Sequence, residues 1–380
     1  MAPVKKIPPV KPYFPSEDIE QIKKDVDRIL TSGMLTLHTY TKEFEEKFAG
    51  VIGVKYAIAV NSGTAALEIA LRCMGLRSGD EVLVPTNTFT ATAAAVIFAG
   101  GKPVLTDIDP KTLCMNVDNV QKNLTSKTKG IIVVHIGGLI CPDIKAIREI
   151  CKDHKLFLIE DAAHAHGSKI EKEPAGSLGD VGCFSFYPTK VMTTGEGGMI
   201  TTNNDEVAKK AMILRDQGKE SFASNIIVEL GYNWRMGEIN AAIGIVQLKR
   251  LAEMIEKRNR IANIYDHAFE RMSGIKPLKT PANIINNYYK YVAILDKGLD
   301  RDQIKAKLRD VGVGCGSEVY WPPLHMQPIY RRLLRVKEGD FQAAEDVCRR
   351  MICPPIYSGM SAEDANYVTE KFKEVLGGEF

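Results

Sequence analysis

The chain has 380 residues, 45% of them apolar and 26% charged, with a formal net charge of +3. That length is more than one hydrophobic core usually organises, so one large and one smaller domain are expected. Near-neutrality gives no basic surface for nucleic acid or an anionic membrane, so any anionic ligand has to be held by local features.

The opening "MAPVKKIPPVKPYFP" is proline-rich and lacks an apolar h-region, and no segment approaches the length of a membrane span. Eight cysteines form no C-x-x-C pair, and several sit in apolar runs such as "MICPPI". They read as free thiols of a reducing compartment rather than a disulfide or metal framework. The expectation is a cytoplasmic protein.

From about residue 56 to 203, short apolar runs alternate with helical stretches. Strands are predicted at "YAIAV" (56–60), "EVLVP" (81–85), "PVLTDI" (103–108), "IIVVHI" (131–136), "LFLIED" (156–161), "CFSF" (183–186) and "GMITT" (198–202). Helices such as "TAALEIALRCMG" (64–75) and "PDIKAIREICKDH" (142–154) fall between them. Continuous apolar strands separated by helices predict an α/β fold with a mostly parallel sheet covered on both faces. Ligands of such sheets collect at the carboxyl ends of the strands. A helical period from about Met236 to Met272 could bridge two domains. After it, "YKYVAIL" (289–295), "DRDQIKAKLRDVG" (300–312) and "SAEDANYVTEKFKEVL" (361–376) predict a small α/β domain. The expected division is 1–250, with roughly the first 30 residues an arm or helix packed on it, and 251–380.

Three stretches carry chemistry. In "IAVNSGTAALEIAL" (58–71) a strand ends at Val60 and a helix opens near Thr64. Free N–H groups there, with a hydroxyl and a glycine, form either an anion site or a plain capping turn. P-loop and dinucleotide fingerprints are absent. In "LFLIEDAAHAHGS" (156–168), Asp161 ends an apolar strand facing the crevice. A carboxylate there needs a cation, unless it only caps the following turn. His164 and His166 have no metal-ligand spacing, and no metal is expected. In "CFSFYPTKVMTTGEGGMITT" (183–202) the single lysine, Lys190, stands between a strand and a glycine-rich turn. Desolvation lowers a lysine's pKa and makes it a nucleophile toward an aldehyde. A cationic ring nitrogen opposite Asp161, an aldehyde on Lys190 and a phosphate at Gly63-Thr64 together describe pyridoxal 5'-phosphate (PLP).

The motifs "NSGTAAL", "PTNTFTATAAA", "EDAAHAHGS", "FSFYPTKVMTTGEGGM", "GYNWRMGEINAAIG" and "PPLHMQPIY" resemble, in order, those of the DegT/DnrJ/EryC1/StrS family. These are PLP-dependent sugar aminotransferases of the aspartate aminotransferase fold, fold type I. The resemblance runs from about Ser32 to the C-terminus and implies a role for each matched position. Lys190 matches the Schiff-base lysine, Asp161 the partner of the pyridine nitrogen, and His164 a Gln or His beside the cofactor ring. Phe89 fills the aromatic position on the ring's other face, and Gly63, Thr64 and Ser185 match phosphate contacts. Asn233 matches an asparagine that reaches the neighbouring subunit's phosphate, which implies a homodimer with shared active sites. Arg235, Tyr320 and His325 match substrate-side positions. His38, in "GMLTLH", stands where a glycine is common, and the segments "HIGGLICPD" and "ICPPIYSGMS" also depart from the family pattern. Those departures bear on substrate identity, not on the cofactor.

The activity implied is ping-pong transfer of an amino group from L-glutamate to a nucleotide-linked keto-deoxysugar, the cofactor passing between PLP and its pyridoxamine form (PMP). Two alternatives stand beside it. A sugar 3-dehydratase of the same family carries histidine at the Schiff-base position, where this chain has Lys190. A non-catalytic regulator would have eroded cofactor residues, whereas Asp161, Ser185, Lys190 and Asn233 are all present. His135, at a strand end, reads equally as a satisfied structural histidine or a ligand contact.

Overall fold

The computed structural model of the chain describes residues 5–316 and 318–377. Helices α1 (Ser16–Ser32) and α2 (Thr39–Ile52) precede a first α/β region. It comprises β1 (Tyr56–Val60), α3 (Gly63–Cys73), β2 (Glu81–Pro85), α4 (Thr90–Phe98), β3 (Lys102–Thr106), α5 (Val117–Asn123), β4 (Thr128–Val134), α6 (Ile144–His154) and β5 (Phe157–Asp161). Short strands β6 (Lys169–Ile170) and β7 (Glu173–Pro174) lead to β8 (Val181–Ser185), β9 (Gly198–Thr202), α7 (Asp205–Arg215) and the long α8 (Glu238–Phe269). The remainder holds β10 (Ile275–Pro277), β11 (Ile284–Ile285), β12 (Ala293–Leu295), α9 (Arg301–Asp310), α10 (Pro328–Leu334), α11 (Gln342–Arg350), β13 (Met351–Ile352) and α12 (Ala362–Leu376).

The central sheet has seven strands in the order β1-β9-β8-β5-β4-β2-β3. All neighbours are parallel except β9, which runs antiparallel to both β8 and β1. Reversing only β9 leaves β1 pointing the same way as β8, so the carboxyl ends of β1, β8, β5, β4, β2 and β3 share one edge. One face is packed by Phe44 and Phe48 of α2, Ile147 of α6 and Leu251 of α8. The other is packed by Leu67 and Leu71 of α3, Val96 of α4 and Leu214 of α7. Water is excluded from both faces, which is why these strands are unbroken runs of Val, Ile and Leu rather than alternating ones. A second, antiparallel sheet, β10-β12-β13, packs Leu295 and Ile352 against Tyr265, Phe269, Leu308, Val368 and Phe372. Helix α8 contributes to both cores, with Leu251 and Met254 in the first and Tyr265 and Phe269 in the second. Position 250 therefore lies inside an unbroken helix.

Two predicted runs depart most from their expected limits. The run 131–136 stops at Val134, after which His135 turns the chain into a short 3-10 segment at Ile136–Gly138. Of the run 289–295, only Ala293–Leu295 is strand. Ahead of it, the side-chain carbonyls of Asn286 and Asn287 accept from the backbone N–H groups of Tyr288 and Tyr289. Tyr288 adopts φ 49. Asx turns of this kind compete with ladder pairing and release Tyr289 and Lys290 from the sheet. All eight cysteines are free thiols, six of them buried.

Glu160 is fully buried on the strand that carries Asp161. Its carboxylate accepts from the N–H groups of Gly176, Leu178 and Gly179 at 2.8, 2.6 and 2.7 Å, and meets His135 Nε2 at 2.9 Å. His135 Nδ1 accepts from Cys141 N–H, so the ring proton sits on Nε2 and is donated to Glu160. His135 is thus a satisfied structural histidine. Glu160→Ala would leave four buried donors unpaired and is expected to lower stability by about 3 kcal/mol. An unchanged urea midpoint would contradict that role.

Candidate active site

The shared edge of the sheet is narrow because glycine lets the backbone close in. A Cβ on Gly63 would lie 2.7 Å from Ser185 Cβ, and one on Gly198 would lie 2.3 Å from the Ser62 carbonyl. Real Cβ atoms do not approach so closely, so the start of α3 can sit against the end of β8 only with glycine at both places. Ser62 caps α3 by accepting from Ala65 N–H at 3.1 Å. The N–H groups of Gly63 and Thr64, at the first two helical positions, stay open toward the crevice mouth beside Ser185.

Asp161, at the end of β5, is 6% exposed and has no cation within salt-bridge reach among the described residues. It accepts from Thr92 Oγ1 at 2.7 Å and from Ala163 N–H at 3.2 Å. Burial raises its pKa, while those hydrogen bonds and the Lys190 charge oppose the shift. Lys190 follows β8 in a turn closed by Lys190 N–H donating to Tyr187 O. Its Nζ lies 4.6 Å from the Tyr289 ring centroid, and desolvation pulls its pKa down to about 8 against the opposing field of Asp161. Among the described residues Nζ has no hydrogen-bond acceptor.

His164 completes the group. Its ring stacks on Tyr289 at 4.2 Å and 28°, Nδ1 accepts from Gly137 N–H at 3.2 Å, and Nε2 lies 3.0 Å from Tyr320 Oη. Burial and the nearby lysine charges drive its pKa well below the usual value, so the ring is neutral. With Nδ1 accepting, the proton is on Nε2 and is donated to Tyr320, which leaves the phenol hydrogen free for another acceptor. The Tyr320 ring lies 5.8 Å from that of Phe89, which is 55% exposed at the start of α4.

The structure thus gathers Lys190, Asp161, His164, Phe89, Tyr320, Gly63, Thr64 and Ser185 on one edge. Of the other sequence candidates, His325 and His38 lie away from this group, while Arg235 and Asn233 border the end of β1. His325 is fully buried, with Nδ1 2.7 Å from Thr86 Oγ1 and Nε2 2.9 Å from Glu345. Both ring nitrogens are used, so it braces the loop before α10 and does not face the crevice. Arg235 is paired with Asp216 at 2.5 Å, and Asn233 is exposed, with its carbonyl accepting from Asn61 Nδ2 at 3.2 Å. His38 is exposed ahead of α2 and lines a concavity of about 860 Å³ between α1, α2 and α8 that shares no residue with the Lys190 group.

Sequence reasoning missed Tyr289 and Thr92. Tyr289 was hidden inside a supposed strand; the Asn-Asn pair before it was the available signal. Thr92 could be found only through its contact with a residue far away in the chain.

Comparison with known proteins bears on the fold and the family. GDP-perosamine synthase of Caulobacter vibrioides is 37% identical over 350 residues, 91% of this chain and 92% of that one. The pleiotropic regulatory protein of Geobacillus stearothermophilus is 36% identical over 366 residues, 94% and 96% of the two chains. Spr1654 of Streptococcus pneumoniae, solved in PMP and PLP forms, superposes with TM-scores of 0.91 and 0.90 at 29% identity. Both superpositions cover 98% of this chain, and 98% and 99% of that one. A mostly parallel α/β sheet with this arrangement is the fold of the PLP-dependent aminotransferases. Within that class the chain belongs to the DegT/DnrJ/EryC1/StrS aminotransferase family, whose profile matches residues 16–373.

Competitive labelling of Lys190 with acetic anhydride should titrate near pH 8, well below an ordinary lysine. Because the Asp161 charge favours the protonated amine, D161N should move that midpoint lower still. A midpoint near 10 in the parent chain would contradict the desolvated setting.

Proposed function

We propose that this chain transfers an amino group from L-glutamate to the keto group of a nucleotide-linked deoxysugar, with PLP and PMP as alternating cofactor forms. The observation that carries the reading is the pairing, across one crevice, of an amine without an acceptor and a buried carboxylate without a cation among the described residues. Each lacks a partner that PLP would supply.

The residues present fit the cofactor. Asp161 has an acid's place for a protonated ring nitrogen, and the crevice has an aromatic residue, Phe89, on one side and the neutral His164 ring on the other. The open N–H groups of Gly63 and Thr64, with the Ser185 hydroxyl, form a cradle for a phosphate that any Cβ at position 63 would close. When bound, PLP supplies an electrophilic aldehyde and a cationic ring that accepts electron density. Lys190 would hold that aldehyde, and its amine would move protons at the reacting carbon as base and acid. An amine with a pKa near 8 is suited to both directions at physiological pH. Tyr320 offers its free phenol hydrogen toward the substrate.

The same reading includes a homodimer. Segment 222–232 leaves Phe222, Ile226, Ile227, Val228, Leu230 and Tyr232 exposed next to Asn233. Contiguous apolar surface of this kind is expected to be covered. In the partner-facing role Asn233 would reach the neighbouring phosphate. The GDP-perosamine synthase relative puts GDP-linked keto-sugars first among substrates to try. The regulatory relative keeps the non-catalytic alternative in view, but the intact Lys190–Asp161–His164 group favours catalysis. Lys190 in place of histidine disfavours the 3-dehydratase.

Glutamate added to the PLP-loaded chain should convert the aldehyde absorbance to that of PMP, and a GDP-linked keto-sugar should restore it. Lys190→Ala should slow the glutamate half-reaction by at least a thousandfold while leaving the fold intact, the order expected on losing both nucleophile and base. Undiminished conversion in that variant would refute the assignment.

A further inference from the structure

We infer that the hydroxyl pair Thr88–Thr92 acts as a positioning device that holds Asp161 as a carboxylate. Thr88 Oγ1 lies 2.7 Å from Thr92 Oγ1, and Thr92 Oγ1 lies 2.7 Å from Asp161 Oδ2. Thr88 is 2% exposed and Thr92 is fully buried, so water does not complete their hydrogen bonding. A hydroxyl has one hydrogen, so the chain has two possible directions. With Asp161 ionised, Thr88 donates to Thr92 and Thr92 donates to Asp161, and every hydrogen is placed. With Asp161 protonated on Oδ2, the direction reverses: Asp161 donates to Thr92, and Thr92 to Thr88. The Thr88 hydrogen then has no acceptor among the described residues. An unplaced buried donor costs free energy, so the pair biases Oδ2 against protonation, and a hydrogen on Oδ1 would itself have no acceptor among the described residues.

The bias matters because the site otherwise works against the charge. Burial favours the neutral acid, and no cation touches the carboxylate. The titratable groups that act on Asp161 from neighbouring elements are Lys190, His135, Cys183 and Tyr320, and none of them donates to Oδ2. Thr88 precedes α4 and Thr92 lies in its first turn, so the "TNTFTAT" segment that presents Phe89 also fixes the state of Asp161. The consequence for a pyridine nitrogen rests on the function proposed above; the effect on the carboxyl group itself does not.

The test uses the cofactor-free full-length chain with 13Cγ-labelled aspartate, the Asp161 resonance being identified by its loss in D161N. Thr92→Val, which keeps shape and removes the hydroxyl, should raise the pH at which Asp161 protonates. In the PLP-loaded chain it should weaken PLP binding about 10- to 100-fold, as expected on losing a hydrogen bond to a charged group. Thr92→Ser should restore both properties, which a merely structural role would not require. Thr92→Ala removes the same hydroxyl and decides the matter if Thr92→Val does not fold, whereas Thr88→Val leaves Thr92 as donor and should shift both far less. Parent-like titration of Asp161 in the folded Thr92→Val or Thr92→Ala chain would overturn the inference. A parent chain that binds no PLP yet shows the titration shift would instead refute the proposed function and leave the hydroxyl pair standing.

Discussion

A carboxylate held out of water at the end of β5, with no cation against it, is the constraint on which the rest of the site depends. Ionising such a group in a protein interior is unfavourable unless hydrogen bonds and a counter-charge offset the lost hydration. Thr92, Ala163 N–H and the more distant field of Lys190 supply part of that compensation. Lys190 is the complementary case, an amine whose charged form is destabilised by the same dry surroundings. The two groups form no ion pair among the described residues; the Lys190 amine instead lies 4.6 Å from the centroid of the Tyr289 ring, which stacks on His164. A cofactor with an aldehyde at one end and a basic ring nitrogen at the other relieves both strains, which is why the fold and the chemistry imply each other.

The sheet topology makes this spacing possible. Because β9 alone is reversed, six strands deliver their carboxyl ends to one edge, and Gly63 and Gly198 let the start of α3 close on β8 and β9. Glu160, one residue before Asp161, points to the opposite side and ties down the loop that leads into β8. Adjacent acids on one strand thus have separate work: Glu160 builds the frame and Asp161 faces the crevice. The segment 86–92 is the other organiser. Thr86 meets His325, Asn87 accepts from Tyr320 N–H, Thr90 meets Tyr330 and Thr92 meets Asp161, so one turn binds the 320–330 segment to the cofactor edge.

Much of this was legible in the sequence. Strands buried on both faces announce themselves as apolar runs, and three of the seven matched their predicted limits: 56–60, 81–85 and 198–202. Lys190, Asp161 and Gly63 could be placed because each sits where a strand stops, and strand ends are visible in the pattern. What could not be read were contacts set by side-chain direction across long separations. Tyr289 under His164 and Thr92 on Asp161 depend on how distant segments meet, and no periodicity encodes that. His325 shows the opposite error: a motif position suggested an open site, whereas Thr86 and Glu345 occupy both its nitrogens.

The most direct measurement of the central claim is borohydride reduction of the chain after incubation with PLP, followed by peptide mapping by mass spectrometry. A single pyridoxyl group per chain, carried by Lys190, is the predicted result. Label spread over other lysines, or absent from the peptide containing Lys190, would contradict the account.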